Sequence, residues 1–338
     1  MTRTTSSIAF ALVIAGCGTL ATEAGDSNAE RPNAIAGPFR LLAADEIDGL
    51  KAPYVLRKKF WDFRQPTVLV DEPGTVLGSS SLYALATDTG VSAVYRFVAT
   101  DGRSFADVPE PSTPVLAAGA ESIEAPEVAR VGDEVRLYYS TPSGVHVARS
   151  NDGVTFTPEP NAVLGAGGAG WEGSQAPRAP AFLTVGPDDH RLFYEAQGRI
   201  GEARSSDGLT WERVGDRPVI EPGADLDGEP AFDGVGVGDP EALRVRSAEG
   251  RWITRIYYTG RGADGSTGIG LAARFGDRGG MTRATAPALT GPRGPRAPAV
   301  VPQGSFTLLF FDQAAGTNDD WPAIAAGIAP ATRRIPLP

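Results

Sequence analysis

The chain is short of several residue types that commonly carry chemistry or staple a fold. Its 338 residues include one cysteine, Cys17, and two histidines, His146 and His190. A lone cysteine excludes an internal disulfide framework and any metal site built from several thiolates. One histidine sits in an alternating strand pattern and the other in a Gly-Pro-Asp-Asp turn. Nothing in that placement supports a histidine metal centre or a Ser-His-Asp arrangement. Lysine is confined to Lys51, Lys58 and Lys59 while arginine is frequent, which reads as genome bias. The net charge of −10 supplies no basic face for a phosphate backbone and excludes a nucleic-acid partner. No Gly-rich loop follows a strand and opens a helix, so nucleotide binding has no support.

Glycine and proline, by contrast, are plentiful at 42 and 28 residues, which favours many short strands over long helices. A hydrophobic content of 41% is enough for a substantial core. Residues 8–15 form an apolar run of signal-peptide length, too short to span a bilayer as a mature helix, and no second such segment follows. The run ends in Ile14-Ala15-Gly16-Cys17, which resembles the bacterial lipobox. This predicts a signal peptide over 1–16, lipidation of Cys17, a tether over 17–37, and a lipoprotein anchored to a membrane of the cell envelope. The alternative is a plain secretory signal and a secreted or periplasmic protein.

From residue 60 the sequence repeats. Five segments begin alike, at Arg64-Gln65-Pro66, Glu124-Ala125-Pro126, Arg178-Ala179-Pro180, Gly238-Asp239-Pro240 and Arg296-Ala297-Pro298, with prolines 60, 54, 60 and 58 residues apart. Proline is tolerated at a strand's first residue, before the ladder begins. Each segment is followed by an aromatic or aliphatic second strand and then a third. A period in the fifties suits a small sheet repeated radially, so the sequence predicts an all-β, five-bladed β-propeller over 38–338, with four-stranded antiparallel blades starting near 64, 124, 178, 238 and 296. Three repeats share an Asp-Gly turn followed by an aromatic residue: Phe105, Phe156 and Trp211. Asp and Gly close the hairpin, and the ring is expected between neighbouring blades.

The Glu-Ala-Pro strand start, the Tyr138-Tyr139-Ser140 strand and the Asp-Gly-aromatic turn resemble the five-bladed propeller glycosidases. These comprise glycoside hydrolase family 43 and its fructan- and mannoside-acting relatives. The resemblance implies a carbohydrate-active protein with a carboxylate pair at the channel mouth: Glu124 at the position of the general acid, and Asp239 at that of a catalytic or pKa-tuning carboxylate. Glycoside hydrolysis uses two carboxylates flanking one bond, one protonated and one ionised. The chain departs from the family's three acids, since Gln65, Ala179 and Ala297 stand at the equivalent positions in blades one, three and five.

Instead, Arg64, Arg178 and Arg296 share the repeat position of Glu124. If they reach the channel, they suit a small anionic or hydroxyl-rich ligand. Otherwise they pair with Glu124, Glu127, Asp239 and Glu241 in a structural network. Arg64, Arg178, Arg296, Glu127 and Glu241 are thus the candidate substrate-binding residues. No cofactor is implied. The acidic loops 225–229 and 317–321 could offer oxygen ligands to Ca²⁺, but neither has a calcium-loop spacing. Trp171 and Trp321 are candidates for stacking on a sugar or for packing at a blade edge. The rival to an enzyme is a non-catalytic surface lipoprotein that binds glycan or another envelope partner.

Overall fold

A computed structural model describes residues 31–32, 36–42, 54–56, 62–70, 80–88, 91–99, 105, 113–119, 121–168, 170–247, 249–277, 279–303, 306–314 and 323–330. Cys17, the apolar N-terminal run, the loop with Trp321 and the chain beyond 330 lie outside them.

The described residues form a five-bladed β-propeller. The inner strands are Arg64–Val70, Glu124–Val131, Arg178–Gly186, Gly236–Arg246 and Arg296–Gln303, each paired antiparallel with a second strand and then a third. Three of the second strands are Glu134–Thr141, Asp189–Ala196 and Trp252–Arg261. The fourth strands of blades one to four are two residues long: Leu116–Ala117, Thr157–Pro158, Glu212–Arg213 and Thr282–Arg283. Edges that short offer little to a foreign strand. Blade five takes its fourth strand from the other end of the chain, because Arg40–Leu41 pairs with Ile328 and Gly327. The propeller is thereby closed by pairing its two termini. The folded body also starts earlier than residue 38. Ala36 is buried between blades four and five and its carbonyl accepts from the Tyr257 hydroxyl, while Arg31–Pro32 runs parallel to Val245–Arg246.

The core lies between blades, not within them. Leu85 and Val94 of blade one meet Val128 and Leu137 of blade two, and equivalent clusters fill each of the other gaps. The aromatic after each Asp-Gly turn sits in such a gap. Phe156 meets Tyr83 of the preceding blade edge-on at 6.2 Å, Trp211 meets Tyr138 at 6.2 Å, and Phe105 meets Phe310 at 6.0 Å. The same tyrosines fasten the turns, since Tyr83 donates to the Gly153 carbonyl at 2.7 Å and Tyr138 to that of Gly208 at 2.9 Å. Gly153 adopts φ 67°, and a Cβ there would fall 2.8 Å from the Tyr83 hydroxyl, so only glycine fits both turn and contact. Asp152 and Asp207, in the turns of blades two and three, gather backbone N–H groups. Those of Thr155 and Val154 hold Asp152 at a pKa of about 2.

Candidate active site

All five inner strands begin with the same irregularity. The residue before each proline has a positive φ: Gln65 50°, Ala125 46°, Ala179 48°, Asp239 44° and Ala297 47°. Each strand also slips register there against its partner, the mark of a β-bulge. Such a conformation costs on the order of 1–3 kcal/mol for a residue with a side chain, and it re-aims the backbone toward the axis.

The bulge takes one N–H out of the ladder, and a side chain from the preceding blade receives it. Asp312 accepts from Gln65 N–H at 3.3 Å, Gln65 from Ala125 at 2.9 Å, Ser140 from Ala179 at 2.8 Å, Glu195 from Asp239 at 3.2 Å, and Thr259 from Ala297 at 2.9 Å. Four of these acceptors occupy one repeat position in the second strand, opposite Glu124, Arg178, Gly238 and Arg296. In blade one that position is Leu85, and Gln65 substitutes for it.

Pro66, Pro126, Pro180, Pro240 and Pro298, with the residues before them, ring the axis and leave about 30 Å³, space for one water. The axis is therefore pinched. Beside it opens a cleft of about 620 Å³ lined by blades two, three and four, including Glu124, Ser140, Thr141, Gln175, Arg178, Glu195, Gln197 and Arg261.

At the junction of cleft and axis, charges converge on Glu195. Its carboxylate is buried and accepts from Arg178 at 2.9 Å and from both terminal nitrogens of Arg261 at 3.4 Å. Arg261 also lies 3.8 Å from Asp239. The sequence explains how they fit. Blades one, two, three and five carry Arg or Glu before the bulge, but blade four carries Gly238, where a Cβ would stand 1.9 Å from Glu195 Oε2. The missing side chain admits the Glu195 carboxylate to the Asp239 N–H. Burial first, and the charge of Glu195 second, push Asp239 up to a pKa of about 6, with Arg261 opposing. Burial works against the Arg178 cation, but Glu195, with Asp239 and Glu124 further off, raises its pKa.

The structure brings Glu124 and Arg178 into one cleft, with Asp239 at the axis beside it. Glu124 itself is exposed. Arg296 pairs with Asp312 at 3.0 Å, while Arg64 donates to Thr87 at 3.0 Å and lies 3.7 Å from Asp62. The arginines of the repeat position thus find second-strand or local partners instead of Glu127 and Glu241. Those two carboxylates are buried where blade seams reach the axial pocket, which both help to line. Glu127 accepts from the Thr67 hydroxyl and from Phe182 N–H, and Glu241 accepts from Val300 N–H. Trp171 stacks on Tyr194 at 6.2 Å, over Gly201, where a Cβ would fall 2.5 Å from the Tyr194 ring. Its ring is used in packing. His146 stacks on Tyr139 and His190 bonds to Thr184, in different blades. Asp225 bonds back onto Ala231 N–H.

Glu195, Arg261 and Asp312 are the residues that reasoning from sequence missed. Their signal is slight: a charged side chain near the end of an aromatic strand, and one glycine where the other repeats have Arg or Glu.

Neither a family model nor a curated protein matches the chain. Solved structures do. The catalytic domain of a family 62 α-L-arabinofuranosidase from Coprinopsis cinerea superposes with a TM-score of 0.59 at 11% identity, over 89% of this chain and 98% of that one. The α-L-arabinofuranosidase of Podospora anserina in complex with cellotriose gives 0.56 at 13% identity, over 90% and 100%. A thermostable family 43 glycoside hydrolase gives 0.59 at 14% identity, over 84% and 92%. The chain is a five-bladed β-propeller similar in structure to glycoside hydrolases of families 43 and 62.

Proposed function

We propose that the protein is a carbohydrate-active propeller that receives its ligand in the cleft over blades two to four and works on it as a glycoside hydrolase. The observation that carries this reading is the placement of two carboxyls, Glu124 lining the cleft and Asp239 at the axis beside it. There, burial and the Glu195 charge push the Asp239 pKa up. Glycosidases need one carboxyl that keeps its proton near neutral pH and a second that stays ionised. In this reading Asp239 is the proton donor and solvent-exposed Glu124 the charged partner, reversing the roles that the strand motifs alone suggest. Binding of cellotriose by a similar propeller supports a sugar ligand.

The test is hydrolysis of a panel of aryl glycosides and plant oligosaccharides by the full-length chain beside Asp239→Asn and Glu124→Gln. Loss of a general acid typically costs about 10²–10⁴-fold, so turnover should fall by at least a hundredfold in Asp239→Asn. Retained turnover in that variant would refute the assignment.

The absence of acids at Gln65, Ala179 and Ala297 favours a second reading, a glycan-binding lipoprotein without turnover. Saturable binding with no product released would select it. In both readings the protein is exported and tethered through a lipid on Cys17. Cys17→Ser should then move it from the membrane to the soluble fraction, and an unchanged distribution would exclude the anchor.

A further inference from the structure

The cleft's charges are layered. The carboxylates lie beneath: the Glu195 side chain is 5% exposed and that of Asp239 17%. The guanidinium groups lie above, with Arg178 at 49% and Arg261 at 32%. Glu195 engages one terminal nitrogen of Arg178, whose side chain is half exposed and lines the cleft. Blade five repeats the layering, with Arg296 at 46% above Asp312 at 5%. Such exposure spares the cations part of their desolvation cost. In the cleft, unlike blade five, one buried carboxylate holds two such guanidinium groups, and both line the cavity. Arginine forks match planar carboxylates in two-point geometry.

The remaining lining adds to this. Ser140, Thr141, Gln175 and Gln197 offer hydroxyl and amide groups suited to sugar hydroxyls, and no aromatic ring is among the described residues that line the cleft. A neutral sugar would find polar partners but no flat apolar platform. A cleft of about 620 Å³ is within the span of ligand sites, roughly 300–1,000 Å³.

We infer that the ligand of this cleft is an acidic sugar, a uronic-acid residue whose carboxylate lies between Arg178 and Arg261 while its hydroxyls meet the Ser140, Thr141 and Gln175 wall. This rests on the carbohydrate reading above and names the substrate class.

The experiment is titration calorimetry of the full-length chain with trigalacturonate, its methyl ester, xylotriose and potassium sulfate. The free acid should bind at least about tenfold more tightly than the ester. That margin should vanish in Arg178→Gln and shrink in Arg261→Lys, which keeps the charge beside Glu195 but loses the fork. Raising salt from about 50 to 500 mM should weaken the acid and leave the ester unmoved. Equal affinity for acid and ester, or a preference that survives both substitutions, overturns the inference and leaves the carbohydrate reading standing. Sulfate binding as tightly as trigalacturonate also overturns it, by showing a site for anions with no regard for the sugar. Binding of none of the sugars would fell the carbohydrate reading and this inference with it.

Discussion

Glu172 and Asp233 resemble Glu195 and Asp239 in composition: all four are carboxylates with arginine beside them on blades three and four. Glu172 is fully buried and has its own donors, the Tyr194 hydroxyl at 2.7 Å and Arg213 at 2.8 Å. Asp233 repeats the arrangement one blade on, with Tyr258 at 2.8 Å and Arg283. In both, burial and the adjacent carboxylate push the tyrosine's pKa up, which keeps its proton available to donate. Glu195 and Asp239 must instead share Arg261, and they open toward a cavity. Exclusive donors make a clamp that pins a loop to its blade. Shared donors leave one acid undersupplied and able to titrate near neutral pH. Burial beside arginine alone therefore does not separate the two kinds of acid; competition for the same arginine at an open cleft does.

The largest effect should come from breaking the sealed clamp. Removing one partner of a buried pair costs about 3–5 kcal/mol, so Asp233→Ala should lower the denaturation free energy by that amount. Asp239→Asn should cost far less, because asparagine tolerates the positive φ and carries no charge to crowd Glu195. Equal losses at the two positions would erase the distinction.

The next effect is on pH dependence. Asp239 has a folded pKa of about 6, raised from an ordinary 3.8. Between those values the folded chain holds a proton that the unfolded chain has released. Stability from this group is therefore complete below about pH 4 and falls as pH rises to about 6, by roughly 2 kcal/mol. Asp312, also raised by burial, adds a change of the same sign. Denaturant melts from pH 4 to 7 should show a decline that is shallower in Asp239→Asn. Superimposable profiles would mean that Asp239 is ionised throughout.

The smallest effect belongs to Arg178→Gln. Its side chain is half exposed, and such pairs are worth at most about 1 kcal/mol. Stability should barely move even if ligand binding collapses. A loss of several kcal/mol would make Arg178 a structural clamp like Arg213.

A proline recurs near the start of every inner strand, third in four blades and fifth in blade four, inside the strand and not at its first residue as expected. That recurrence, with the apolar run that each long strand leaves, made the radial repeat legible. The fourth strands were not, since two residues carry no pattern. Nor was closure by Arg40–Leu41, a pairing across nearly the whole chain. Glu124, Arg178 and Asp239 were singled out because they flank the repeated prolines, and the structure puts the first two in the cleft and the third at the axis. Glu195 and Arg261 occupy second-strand positions whose identities change from blade to blade, Leu85, Ser140, Glu195, Thr259 and Asp312 at the first of them, so no repeat marked them. Glu127 and Glu241 were marked by the same prolines, yet their side chains accept backbone N–H groups at the blade seams.

By itself the sequence determined the architecture: five Pro-led strands, Asp-Gly turns and the aromatic rings that follow them are local signals, each set by backbone sterics or by a short hydrogen bond. Only the tertiary structure decided which acids face a cavity and which are sealed. That depends on which arginine arrives from the next blade and on whether a side chain such as that missing from Gly238 would block its path.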